Sequence, residues 1–181
     1  MGFDIFYQPC RFGPEKIERP DPHHPGRTRM ELPDEPLTAA ELAAVHQVLM
    51  EVDARILEVT DLYSIQLADG GLAQLCGGNL STGCIVTCRR MSPGLLQFLF
   101  DLLEAGQWAM IPAMEDLLAI TATPERLRTP AKFLKSVVCK SPQELGELIA
   151  GGYETWQKYR DHVVTEHGFS PATDANEPGS C

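Results

Sequence analysis

Between Ser92 and Gly106 the chain reads SPGLLQFLFDLLEAG, and this one segment limits what the rest can be. Ser92 followed by Pro93 supplies an N-cap and a first helical position where a missing amide hydrogen is no loss. In the helix expected from Gly94 to Ala105, the apolar residues Leu95, Leu96, Phe98, Leu99, Phe100, Leu102 and Leu103 cover nearly the whole circumference. The polar positions Gln97, Asp101 and Glu104 fall on one narrow line. Such a helix cannot rest on a surface by one stripe; it must be enclosed on every side but one. Gly106 is expected to stop it with a left-handed cap. A chain of 181 residues is long enough to build the enclosing layers as one domain, burying roughly 70% of its unfolded surface.

Those layers read as strands and two further helices. Phe3-Asp4-Ile5-Phe6-Tyr7 is an opening strand, aromatic and β-branched. From Gly13 to Pro36 the chain is polar and carries Pro14, Pro20, Pro22, Pro25, Pro33 and Pro36, which predicts a long loop or a short extended excursion. Thr38-Ala39-Ala40-Glu41 is a capping box. The stripe Leu42, Val45, Leu49, Val52 and Ile56 that follows predicts a helix, with Glu51 and Arg55 as an ion pair on its outer face.

Ile65 and Leu67 then alternate with polar neighbours, Asp69-Gly70-Gly71 turns the chain, and Leu72 to Leu75 returns. After a loop at Gly77-Gly78-Asn79, Cys84-Ile85-Val86-Thr87-Cys88 reads as a third strand of an antiparallel meander. Trp108 to Ile111, Leu117 to Thr121 and Ser136 to Cys139 are further strands. Ser141-Pro142-Gln143-Glu144 opens a last helix with the stripe Leu145, Ile149, Gly152, Trp156, Tyr159 and Val163. Its Gly151-Gly152 pair signals either a break or a close backbone approach. The expected fold is α+β: an antiparallel meander sheet packed against two or three helices, over 1–169. Residues 170–181, polar and containing Pro and Gly, read as a disordered tail.

Fifteen Lys and Arg against 25 Asp and Glu leave a net charge of −10. Nucleic-acid binding rests on basic side chains that neutralise phosphates, so the balance argues against it. The charge suits a basic protein as partner, and it also serves solubility. No stretch approaches the roughly 20 apolar residues of a membrane helix. The first residues lack a basic segment followed by an apolar one, so the expected location is the cytoplasm, away from membranes.

No phosphate loop, dinucleotide fingerprint, nucleophile elbow or helical zinc-protease motif is present. Cys84 and Cys88, four apart on a strand, stand roughly 13 Å from each other. Two thiolates sharing a zinc at about 2.3 Å each cannot be so distant. The cysteines therefore read as buried thiols, and His23-His24 as a solvated turn. No catalytic, cofactor-binding or metal residue is assigned. A dispersed enzymatic site built from residues such as Cys84, His46 and Glu115 stays open as the alternative.

The polar line of the central helix is the feature that sits least well with a purely structural role. Asp101 and Glu104 occupy its last turns, where the negative end of the helix dipole disfavours carboxylates by about 0.3–1 kcal/mol each. Glu115 and Asp116 follow closely in sequence. Together these four residues form the candidate partner-binding surface; the plainer reading is a solvated face. Arg126, Arg128, Lys132, Lys135 and Lys140 gather the opposite sign. They suit an anion, or self-association against the acidic strip, and so a homo-oligomer or a self-associating regulatory protein is a further alternative.

Met1-Gly2-Phe3-Asp4-Ile5-Phe6, Asp34-Glu35-Pro36-Leu37-Thr38 and Gly152-Tyr153-Glu154-Thr155-Trp156 resemble a loose group of small uncharacterised bacterial proteins of immunity-protein type. The resemblance implies a non-enzymatic, cofactor-free protein that binds and blocks a bacterial toxin, with a basic toxin domain as its partner. It supplies no catalytic residue.

Overall fold

A computed structural model describes residues 2–9, 11, 15–21, 23–31, 33, 35–52, 54–57, 62–78, 80–114, 118–124 and 135–167. Ten strands and three helices follow one another along these residues. The strands are β1 (Phe3–Pro9), β2 (Ile17–Pro20), β3 (Thr28–Glu31), β4 (Arg55–Leu57), β5 (Leu62–Gln66), β6 (Leu72–Cys76), β7 (Cys84–Arg90), β8 (Trp108–Pro112), β9 (Leu118–Thr121) and β10 (Lys135–Val138). The helices are α1 (Ala39–Glu51), α2 (Pro93–Gly106) and α3 (Pro142–His167).

Eight strands form one sheet in the order β10-β9-β8-β1-β7-β6-β5-β4. From β4 to β9 every pairing is antiparallel, and β4 to β7 is the meander; β10 alone joins in parallel, beside β9. The opening strand becomes the middle of the sheet, between β7 and β8. An alternation of buried and half-buried residues explains this position, because only a strand with partners on both sides has its inward row fully enclosed. Phe3, Ile5 and Tyr7 point inward, opposite Cys88, Val86 and Cys84 of β7, and all six are buried.

The helices cover that inner face, with α2 packed between α1 and α3. Leu95, Phe98, Leu99, Phe100, Leu102 and Leu103 of α2 are buried, as an all-round apolar helix requires. The Tyr7 hydroxyl donates to the Leu99 carbonyl at 2.9 Å and so pins the central strand to the central helix. Burial pushes the Tyr7 phenol well above its ordinary pKa, with the neighbouring Cys84 and Cys88 thiols adding to the effect. At the other end of β1, the Phe3 ring meets Tyr153 of α3 edge-on at 5.8 Å.

Three local expectations change, and one left open is decided. The 13–36 excursion holds a hairpin, β2–β3, whose residues are nearly all exposed. Its turn is organised by Asp21, which accepts from the His23 amide at 2.9 Å and lies 3.0 Å from the His24 ring. These hydrogen bonds, led by that from the His23 amide, hold the Asp21 carboxyl below its usual pKa.

The first helix ends at Glu51, so Ile56 and Arg55 belong to β4. Glu51 therefore accepts from Gln47 at 3.0 Å, one turn earlier on the same helix. The capping box forms as expected: the Thr38 amide donates to the Glu41 carboxylate at 2.8 Å, and the Glu41 amide donates back at 3.3 Å. Arg11 joins the same carboxylate. Burial raises the Glu41 pKa, but the bonds from Thr38 and Arg11 outweigh it and lower the value overall.

At the end of α2 the left-handed residue is Gln107 (φ 50°, ψ 37°), not Gly106. Gly106 is there for space: a Cβ on it would lie 2.4 Å from the Trp108 ring. Gln107 meets the cost of its backbone by donating from both its amide and its side chain to the Glu104 carbonyl, at 3.2 and 2.7 Å.

Lastly, α3 does not break at Gly151-Gly152. A Cβ on Gly152 would sit 3.0 Å from the Cβ of Met114, which bears out the close approach. The tail at 170–181 lies outside the described residues.

Candidate functional site

The line Gln97, Asp101, Glu104 forms a polar ridge on α2, flanked within the helix by residues that are buried. Asp101 is half-buried and accepts from the Gln97 side-chain nitrogen at 2.7 Å, one turn back. Glu104 is exposed, and the last turn of α2 holds no basic residue to offset it. Two acids thus remain where the exposed carbonyls of the helix end concentrate negative potential.

The packing of α3 against α2 extends this acidity. Cys139 leads into α3, fully enclosed, and its thiol donates to the Ser141 carbonyl at 3.2 Å. Burial raises the pKa of that thiol, the bond to Ser141 opposes the rise, and the charges of Glu144 and Glu104 add to it. Glu104, at the end of one helix, and Glu144, in the first turn of the next, therefore act on the same atom. Glu144 also accepts from the Lys140 amide at 2.8 Å. Sequence spacing missed Glu144, since the capping box it belongs to explains it locally; the packing of α3 against α2 lets its charge and that of Glu104 both act on Cys139.

Of the four acids expected to bind a partner, Asp101 and Glu104 share the α2 ridge, and Glu115 and Asp116 lie outside the described residues. In the basic run, Arg126, Arg128 and Lys132 lie outside them too, while Lys135 and Lys140 are exposed at β10 and just after it.

The dispersed enzymatic alternative meets a physical obstacle at its nucleophile. Cys84 faces the core, and burial, with the charge of nearby Cys76, raises its thiol pKa far above the ordinary value. Cys88, four residues further along the same face, is pushed up to about 12 by burial and then by Asp4. A thiol so placed stays protonated at neutral pH and is a poor nucleophile. His46 is exposed on α1, and among the described residues no hydrogen bond joins it to Cys84. Among those residues, too, no group of three His, Cys, Asp or Glu is placed to hold a metal ion, and no helix is long and apolar enough to cross a membrane.

Compared with protein-family models, with curated proteins and with solved structures, the chain matches none of them.

Proposed function

We propose that this chain is a non-enzymatic binding protein of the immunity type, which occludes the working surface of a basic bacterial toxin with its acidic α2 ridge. The observation that carries the reading is the placement of Asp101 and Glu104 toward the C-terminal end of α2, whose last turn holds no basic residue. Asp101 and Glu104 stand where a helix selected for stability alone would carry Lys or Arg. A cluster of one sign steers an oppositely charged partner and speeds its association, up to about 10⁸–10⁹ M⁻¹s⁻¹ at low salt. The buried thiols lend no chemistry that would favour turnover instead.

The test is the double substitution Asp101→Lys, Glu104→Lys. It should stabilise the helix end by about 0.3–1 kcal/mol per position at low salt. Co-expressed with a basic toxin domain that the parent neutralises, the variant should protect cells less well than the parent. Its association with that domain should be slower, by a margin that narrows as salt rises. Equal protection and equal association rates at low and moderate salt would sink the proposal.

A further inference from the structure

β2 and β3 form a ribbon of their own, outside the eight-strand sheet. Its register sets Arg19 directly opposite Arg29. Like charges at facing positions oppose strand pairing, and a two-stranded ribbon is marginally stable at best. A ribbon selected for stability alone would face either arginine with an acid.

Alternation along the strands decides what shares that side. Ile17, Arg19, Arg29 and Glu31 fall on one side, and Glu18, Pro20, Thr28 and Met30 on the other. The pairing runs one step further, since the Asp21 amide donates to the Arg27 carbonyl at 2.8 Å. Asp21 and Arg27 therefore join the side of Arg19 and Arg29. Three arginines stand there with two carboxylates, a surplus of one positive charge. The whole chain carries −10. Charges more than about 8 Å away are largely screened at physiological salt, so the local surplus governs.

Both carboxylates are already engaged. One Glu31 oxygen accepts from Arg29 Nε at 2.9 Å and lies 2.8 Å from its Nη2; the other lies 3.3 Å from Arg19 Nε. Asp21 accepts from the His23 amide and lies against the His24 ring. The arginines keep donors in reserve. Glu31 meets one edge of Arg29, and the Arg19 and Arg29 side chains stay 55% and 49% exposed. Arg19 has that ion pair and no hydrogen bond among the described residues, and none of them engages the exposed Arg27 side chain.

From this arrangement we infer that the arginine side of the β2–β3 ribbon binds a phosphate group. A guanidinium holds five N–H donors in a planar fork that fits phosphoryl oxygens in pairs. A carboxylate offers two oxygens in one plane, and Glu31 already fills that role. Three guanidiniums on one side suit a group that turns three oxygens toward them. A phosphate does so, and it brings the negative charge that the surplus attracts. A free ion and an ester on a protein segment present the same oxygens.

Titration of the full chain with inorganic phosphate, at constant ionic strength from micromolar to tens of millimolar, tests this. The Nε–H signals of Arg19, Arg27 and Arg29 and the amide signals of β2 and β3 should shift and saturate together. Arg19→Gln and Arg29→Gln should each weaken binding by about threefold or more. The amide signals show in the same spectra that each variant keeps the ribbon. Glu31→Gln, which removes a competing carboxylate, should tighten binding. Lys16→Gln deletes a positive charge just before β2, where alternation points to the other side, and should leave the affinity unchanged.

A phosphoserine peptide, beside its unphosphorylated form, separates the two sources. Tighter binding than that of inorganic phosphate assigns the site to a phosphorylated segment, and binding no tighter assigns it to the free ion. Shifts that rise without saturating, an equal loss in Lys16→Gln, or weaker binding by Glu31→Gln would overturn the inference. None of these outcomes depends on whether the α2 ridge binds a toxin.

Discussion

α2 and α3 both open on a Ser-Pro pair, and both serine hydroxyls accept from the amide three residues on, at 3.1 Å in α2 and 3.2 Å in α3. From there they are held in opposite ways. α2 is short and buried on nearly every side, so its contacts come from α1, α3 and the sheet together. α3 runs from Pro142 to His167 and loses cover along its length. Leu145 and Ile149 are buried, Tyr153 and Trp156 are half-buried, and Tyr159 is 59% exposed. Its middle is carried by aromatic contacts, Tyr153 against Trp156 at 5.3 Å and Arg160 over the Trp156 ring at 4.9 Å. The difference teaches that one helical signature in sequence can yield an element whose loss unfolds the protein, or one that opens stepwise from its end.

The largest effect that tests this contrast is at Phe98. Phe98→Ala should cost about 3–5 kcal/mol, because a fully enclosed site relaxes little around the cavity. Tyr159→Ala should change global stability by no more than about 0.5 kcal/mol. Chemical denaturation measures both. Similar losses at the two positions would mean that α3 is as integral to the fold as α2.

How legible each region was in the sequence follows from the same contrast. α2 was read almost to the residue because burial on all sides but one writes apolar residues everywhere except along a single polar line. The meander was read because one buried face imposes a period of two on β5, β6 and β7. What was missed lies where the constraint comes from a distant neighbour. Gly106 looked like a left-handed cap, yet its lack of a side chain serves the Trp108 ring. Ile56 continued a helical stripe, but the chain turns into β4 and ends the helix at Glu51. The β2–β3 hairpin is exposed and has little burial to pattern its residues. Half of the candidate site, Asp101 and Glu104, was visible as a line on one helix. Glu144 was not, since its action on the same thiol as Glu104 arises only when two helices pack.

The next effect sharpens the comparison at the helix starts. Asp69, in the β5–β6 turn, accepts from the Ser92 hydroxyl at 2.8 Å and from the Gly94 amide at 2.7 Å, so α2 has a second acceptor at its N-terminus. These bonds, with that from Ser92 the largest, hold the Asp69 carboxyl below its ordinary 3.8. A depressed carboxyl stabilises the fold above its unfolded pKa, and that contribution disappears as pH falls through the folded value. Ser92→Ala should cost about 0.5–2 kcal/mol and flatten the loss of stability with acid below 3.8. Ser141→Ala should cost no more than this and leave the acid limb of the curve alone. Melting curves across the acid range would show it, and an unchanged slope in Ser92→Ala would remove Asp69 from the cap.

The smallest effect lies within α3 and pits two adjacent glycines against each other. In a helix interior glycine costs about 1 kcal/mol relative to alanine, because the unfolded chain has more freedom to lose. At Gly151 an added Cβ would meet nothing within 4 Å, and the position is exposed. Gly151→Ala should therefore stabilise the protein by about 0.4–1 kcal/mol. At Gly152 the same methyl would stand 3.0 Å from the Met114 Cβ and 3.2 Å from its sulfur. The sulfur can swing aside, but the Cβ is tied to the backbone, so the turn after β8 would have to shift. Gly152→Ala should lose the entropic gain to that contact and come out neutral or destabilising. A rise in melting temperature for Gly151→Ala alone marks Gly152 as the point where α3 is fixed to the sheet. An equal rise for both would mean that Met114 yields freely, and that the middle of α3 is held by its aromatic contacts rather than by backbone fit.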